Sequence, residues 1–209
     1  MAIICRGFVM APILQKRIGK AFRTTTLLRA RDLTARGLNR VQMRQAVEAG
    51  LLEQAGRGLY RLPGADITQH HTLAEIARRI PHGVICLLSA LSYHNLTTQN
   101  PHEVWLALDH KAWAPRSERV RLRVFRLSGP ALTEGVEIHT VEGVPLRVYS
   151  PAKTVADCFK FRNKIGIDVA LEALRETWRA RRATMKELEH HARVDRVAKV
   201  MQPYLESLT

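Results

Sequence analysis

Arg40, Gln42, Arg44 and Gln45 fall within a stretch of six residues, and their side chains carry the donors that match the edges of base pairs. An arginine can bond guanine twice and a glutamine can do the same with adenine. Residues 40 and 44 are about one helical turn apart, so a single helix would aim both arginines into one groove. Asn39 ahead of them, and Arg57 and Arg61 beyond, are expected to hold the sugar–phosphate backbone. The alternative is a solvated amphipathic face with no partner.

Other chemistry is weaker. Asp109-His110-Lys111 ends an apolar run and holds half of the acid-x-Lys element of metal-dependent nucleases, but no partner carboxylate is evident on a neighbouring strand. His70-His71 and His190-His191 are adjacent pairs, which on a helix point in different directions and do not chelate as an i, i+4 pair does. Cys5, Cys86 and Cys158 are odd in number and widely spaced, against a disulfide framework or a zinc site. The last two lie in apolar runs and are expected in the core. No phosphate-cradling GxxxxGK[ST] and no GxSxG elbow occur, nor a Gly-Ser turn followed by paired carboxylates. We expect no enzyme, no metal and no cofactor.

The elements that must position Arg40–Gln45 read directly from their surroundings. Ile13–Phe22 spaces apolar residues as a helix. Leu27, Leu28, Leu33 and Leu38 give an apolar face to a short helix around Arg31–Arg36, which Gly37 ends. Asn39 then caps Arg40–Ala49, with Met43, Ala46 and Val47 inward and Gly50 at its end. Leu51–Gln54 and Leu59–Leu62 form a hairpin about Ala-Gly-Arg-Gly, where Gly56 and Gly58 can take positive φ and Arg57 projects. The order predicts a winged helix-turn-helix, residues 1–64, ending in the turn residues Pro63-Gly64-Ala65-Asp66.

Residues 65–209 read as a larger mixed α+β domain with a small sheet and C-terminal helices, so the fold class is α+β. Helices are expected at Leu73–Ile80 and Ser89–Asn95, a buried strand at Val104–Leu108, and a hairpin across Glu142-Gly143. Beyond Ser150-Pro151 the pattern is helical over 152–160, 168–181, 185–193 and 194–205. In Arg119–Leu127, Val120, Leu122 and Val124 alternate with Arg119, Arg121 and Arg123; the arginine row is expected on the solvent face, either as a plain solvated sheet face or as a second nucleic-acid or partner contact.

Charge agrees with the first domain's reading. The net charge is +14, and residues 1–62 carry 12 Lys and Arg against 3 Asp and Glu, residues 63–150 carry 9 against 8, and residues 151–209 carry 12 against 8. A cation-rich surface gains affinity for polyphosphate by releasing counterions, so double-stranded DNA is the expected partner. No apolar run approaches the ~20 residues of a membrane span, and Ile3–Met10 lacks the features of a secretory signal, so a cytoplasmic location is expected. Both Met1 and Met10 are candidate starts.

Three blocks resemble the AbiEi family of antitoxins: GLLEQAGRGLYRLPG (50–64) within the winged module, SALSYHNLTTQNPHEVWLALD (89–109), and YSPAKTVADCFKFRNKIGIDVALEALRE (149–176). The resemblance implies an N-terminal domain that binds inverted repeats in its own promoter. It also implies a C-terminal domain that counteracts a nucleotidyltransferase-fold toxin encoded alongside, as in phage-defence operons, without requiring a stable complex. Two alternatives stand beside it: a stand-alone regulator whose second domain senses a ligand or partner, and a nuclease using Asp109 and Lys111. An inverted-repeat operator needs a symmetric dimer or two separate monomers, and the sequence leaves both open.

Overall fold

The computed structural model describes residues 10–64, 68–113 and 120–208, and the fold is mixed α+β. Chain contacts divide it into two compact units, residues 1–79 with 140–145 and residues 80–139 with 146–209. The division expected after Gly64 differs because the helix that follows stays with the first unit through an Arg78–Asp32 ion pair of 2.6 Å.

In the first unit, α1 (Met10–Ala21) buries Leu14, Ile18 and Ala21, one turn apart each, and leaves Lys16, Arg17 and Lys20 exposed. It is followed by β1 (Leu27–Arg29), α2 (Ala30–Ala35), α3 (Arg40–Glu48), β2 (Glu53–Gly56), β3 (Leu59–Arg61) and α4 (His71–Arg79). The strands form an antiparallel sheet in the order β1-β3-β2, with Tyr60 opposite both Leu28 and Gln54. Leu33, Leu38, Met43, Ala46 and Leu52 join the α1 residues in one apolar cluster. Leu27 and Leu28 were expected on the face of α2; they lie in β1 instead, still fully buried. A three-residue strand has too little period to be told from the start of a helix.

Gly37, at φ +87°, ends α2 as expected, and the following Leu38 amide closes back on the Leu33 carbonyl at 2.9 Å. Gly58 takes positive φ in the β2–β3 turn, but Gly56 does not. Gly56 is needed for space: a Cβ there would collide with the Arg79 guanidinium and approach Glu75 Oε1 to 3.0 Å.

The second unit contains β4 (Val84–Ile85), α5 (Leu87–Tyr93), β5 (Val104–Asp109), β6 (Leu122–Leu127), the short α6 (Pro130–Thr133), β7 (Val136–Val141) and β8 (Val144–Tyr149). Helices α7 (Pro151–Lys160), α8 (Arg162–Ile165), α9 (Ile167–Arg179), α10 (Met185–Val194) and α11 (Ala198–Glu206) follow. The sheet order is β6-β5-β4-β8-β7, parallel at β4–β8 and β5–β6 and antiparallel at β4–β5. Glu142 and Gly143, both at positive φ, turn β7 into β8, and this tip is the part counted with the first unit. Helix α7 is buried from Pro151 to Phe159 and has no solvent face there; Cys158 lies in it and Cys86 beside α5, both in the core as expected.

Arg121 and Arg123 of β6 are exposed, as expected, while the second half of the strand is buried through Phe125 and Leu127, beside Trp105 and Ala107 of β5. Val124 and Leu122 are only partly buried. A strand that packs through its second half does not announce this in an alternation where both faces carry apolar residues.

Candidate nucleic-acid interface

Helix α3 begins on a reciprocal cap. Asn39 Oδ1 accepts from the Gln42 amide at 2.8 Å, and Gln42 Oε1 accepts from the Asn39 amide at 3.1 Å. Both side-chain oxygens are therefore occupied in starting the helix; Gln42 keeps only its amide nitrogen as a donor toward a partner. Met43 and Ala46 are fully buried and Val47 packs partly against them. The opposite face presents Arg40, Val41, Arg44 and Gln45 to solvent.

Val41 was absent from the sequence reading of this face. It is 64% exposed, unusual for a large apolar side chain beside two arginines. The signal was its register, since position 41 lies off the stripe of Met43, Ala46 and Val47. A branched apolar side chain there has the chemistry to meet a thymine methyl group. Arg44 pairs with Glu48 at 3.0 Å, with both side chains largely exposed. Such a pair contributes only ~0.3–0.5 kcal/mol and yields readily to a stronger anion.

Arg57 sits exposed at the β2–β3 turn. Arg61 does not behave as expected: it lies opposite Glu53 in the sheet and its Nη2 is 2.7 Å from Glu53 Oε2, so the cation is matched within the hairpin. Cross-strand pairing supplied the carboxylate, and only the register reveals it.

Of the arginine row of β6, Arg121 and Arg123 are exposed, and Arg119 lies outside the described residues. Arg123 is held 3.2 Å from Glu103 with its guanidinium 4.5 Å above the Trp105 ring. At the end of β5, Asp109 Oδ1 accepts the Lys111 amide at 2.8 Å and so closes a turn. Of the histidines, His191 is buried at 8% exposure rather than on the surface, and burial holds its imidazole below the usual range. Its neighbour His190 bonds Glu134 at 2.6 Å. Among the described residues these three are the group close enough to suggest an ion, their ligand atoms lying within 4.8 Å of one another.

The second unit holds a charged cluster that sequence reasoning missed. Lys153 is wholly buried, with Nζ 2.6 Å from Asp157 and 2.9 Å from Asp195; the outer Lys160 reaches Asp195 at 3.1 Å. Burial pushes the Asp157 carboxyl up to about 7 against the pull of Lys153, and the two carboxylates hold Lys153 above its ordinary value although burial opposes them. Lys153 and the two aspartates are buried, with the Tyr149 ring 4.6 Å from Lys153 Nζ, and Lys160 alone reaches the surface. The signal was present: Lys153 and Asp157 are four apart in a helix otherwise apolar on every face.

The family match falls on the helix-turn-helix and hairpin, and a structural similarity extends over most of the chain. Residues 22–63, which include β1, α2, α3 and the β2–β3 hairpin, match the family described as "Transcriptional regulator, AbiEi antitoxin". The chain is similar in fold to the crystal structure of the RV2827C protein from Mycobacterium tuberculosis, with a TM-score of 0.58 and 14% identity over 86% of this chain and 71% of that one. No curated protein matches the sequence.

Proposed function

We propose that this chain is a sequence-specific DNA-binding regulator of the AbiEi antitoxin type, with residues 10–64 acting as a winged helix-turn-helix. The observation that carries the reading is the outer face of α3. Arg40, Val41, Arg44 and Gln45 are exposed together on a helix capped at its start and seated by Met43 and Ala46, inside the segment that matches the regulator family. Such a helix fits the major groove, where arginine, glutamine and an apolar contact each read a different base edge. Arg57 at the hairpin turn would meet phosphate beside that groove. Asn39 and Gln42 serve the helix, and Arg61 serves the hairpin.

On this reading the protein represses its own promoter in the cytoplasm and needs no catalysis. The second unit would counteract a nucleotidyltransferase-fold toxin without requiring a lasting complex. The family match ends at residue 63, which favours one second reading: a stand-alone regulator whose remaining chain senses a ligand or partner. A toxin gene beside this one, whose toxicity the chain relieves, supports the first reading; its absence supports the second. Fluorescence anisotropy on DNA from upstream of the gene, against shuffled DNA, tests the shared core of both. A preference of about a thousandfold is expected. Equal, steeply salt-dependent binding to both would show the charge acting without sequence recognition.

A further inference from the structure

A groove of about 910 Å³ runs along the first unit between the end of α1 and the α2–α3 turn. Arg17, Lys20, Arg23 and Arg36 line it together with Thr24, and among the described residues no carboxylate does. All four cations are exposed, and none is in an ion pair among the described residues. This sets them apart from Arg61, Arg78 and Arg79 of the same unit, which are each matched by a carboxylate.

Two of the four are fixed in place. The Arg17 guanidinium donates to the Gly37 carbonyl and the Arg36 guanidinium donates to the Ala21 carbonyl, so α1 and the α2–α3 turn are tied together in both directions. Each guanidinium has further N–H donors beyond the one that anchors it. Cations held by neutral carbonyls keep their full charge, and holding them beforehand lowers the entropy cost of meeting an anion. Gly37 is also the residue at which the groove meets the lead into α3, two positions before the Asn39 cap.

We propose that this groove binds the sugar–phosphate backbone of double-stranded DNA on the strand flanking the major groove that α3 enters. Arg17 and Arg36 are the fixed phosphate donors, and Lys20 and Arg23 are the mobile ones. This rests on the reading of α3 as the helix that enters DNA, and it divides the unit's work. The α3 face selects sequence, while the groove supplies affinity that is blind to sequence and fixes register.

The test is the salt dependence of DNA binding by the full chain, read by anisotropy on operator and shuffled duplexes. The variant is Lys20→Gln with Arg23→Gln, which touches no hydrogen bond or ion pair among the described residues. Lys186→Gln with Lys199→Gln in the second unit is the control for an equal loss of charge. The groove variant should lower the slope of log K against log salt by ~2 and weaken both duplexes by the same factor, leaving their ratio unchanged. The control pair should leave the slope within ~0.5 of wild type. An unchanged slope in the groove variant, or an equal fall in the control, overturns the proposal. If the ratio still collapses in Arg44→Ala in that case, the α3 reading stands without the groove. Wild-type protein that binds no duplex overturns both.

Discussion

The two units use the same kind of charge in opposite ways. In the first, Arg40 and Arg44 on α3, and Arg17, Lys20, Arg23 and Arg36 in the groove, face solvent with weak carboxylate partners or none among the described residues. In the second, Lys153 is enclosed with Asp157 and Asp195 and no outside ligand reaches it. An exposed cation costs little to keep and stays available to an anion, whereas a buried one is tolerated only while both its carboxylates are in place. The difference is one of availability: the first set remains open to an anion, and the second is consumed in holding α7 to the residue after α10.

The largest effect should come from breaking the buried set. Lys153→Ala leaves Asp157 without its cation and Asp195 with Lys160 alone, and should destabilise the protein by ~3–5 kcal/mol in urea unfolding. A loss under ~1 kcal/mol would erase the contrast between the units. The same cluster sets a pH dependence. Because Asp157 holds its proton up to about 7, above its ordinary 3.8, the folded state gains stability from that proton at low pH. That gain is complete below the ordinary value and is lost as pH rises through about 7. The stability of wild type relative to Asp157→Asn should therefore fall between acid and neutral pH, as read from unfolding curves at each pH. A difference independent of pH would mean the carboxyl titrates in the folded protein as it does in the unfolded chain.

Next in size is the exposed set. Arg44→Ala should cost ~1–3 kcal/mol on the operator and relax its preference, while Arg57→Ala should weaken operator and shuffled DNA alike and reduce the salt slope by ~1. Anisotropy reads both. Smallest is the cap of α3: Asn39→Ala should destabilise by ~1 kcal/mol, whereas Asn39→Asp keeps the cap and should hold stability while weakening DNA through its added charge. If Asn39→Asp binds DNA as wild type does, the start of α3 does not approach phosphate.

Much of the first unit was legible because its signals are local. Gly37, the Asn39 cap and the inward stripe of Met43 and Ala46 each act within a few residues, and each appears where the spacing placed it. What escaped depends on partners distant in sequence. Arg61 is neutralised by a cross-strand residue, Gly56 is small because α4 packs on it, and β6 faces inward through Phe125 because β5 lies beside it. Lys153 is the clearest case. Its i, i+4 carboxylate was visible, but the second one, Asp195, lies in another helix's wake and turns an ordinary surface pair into a buried triad. Val41 escaped notice because the outer face was read for its polar residues alone, although its register placed it there.

The central claim is that α3 reads sequence. The most direct test is the ratio of operator to shuffled-DNA affinity, at one salt concentration, for wild type and for Arg40→Ala with Arg44→Ala. The account predicts a ratio near a thousandfold in wild type that falls by at least ~10-fold in the variant, with binding to shuffled DNA falling far less. A variant that loses both affinities equally and keeps its ratio would show that these arginines hold phosphate, and that sequence is read elsewhere.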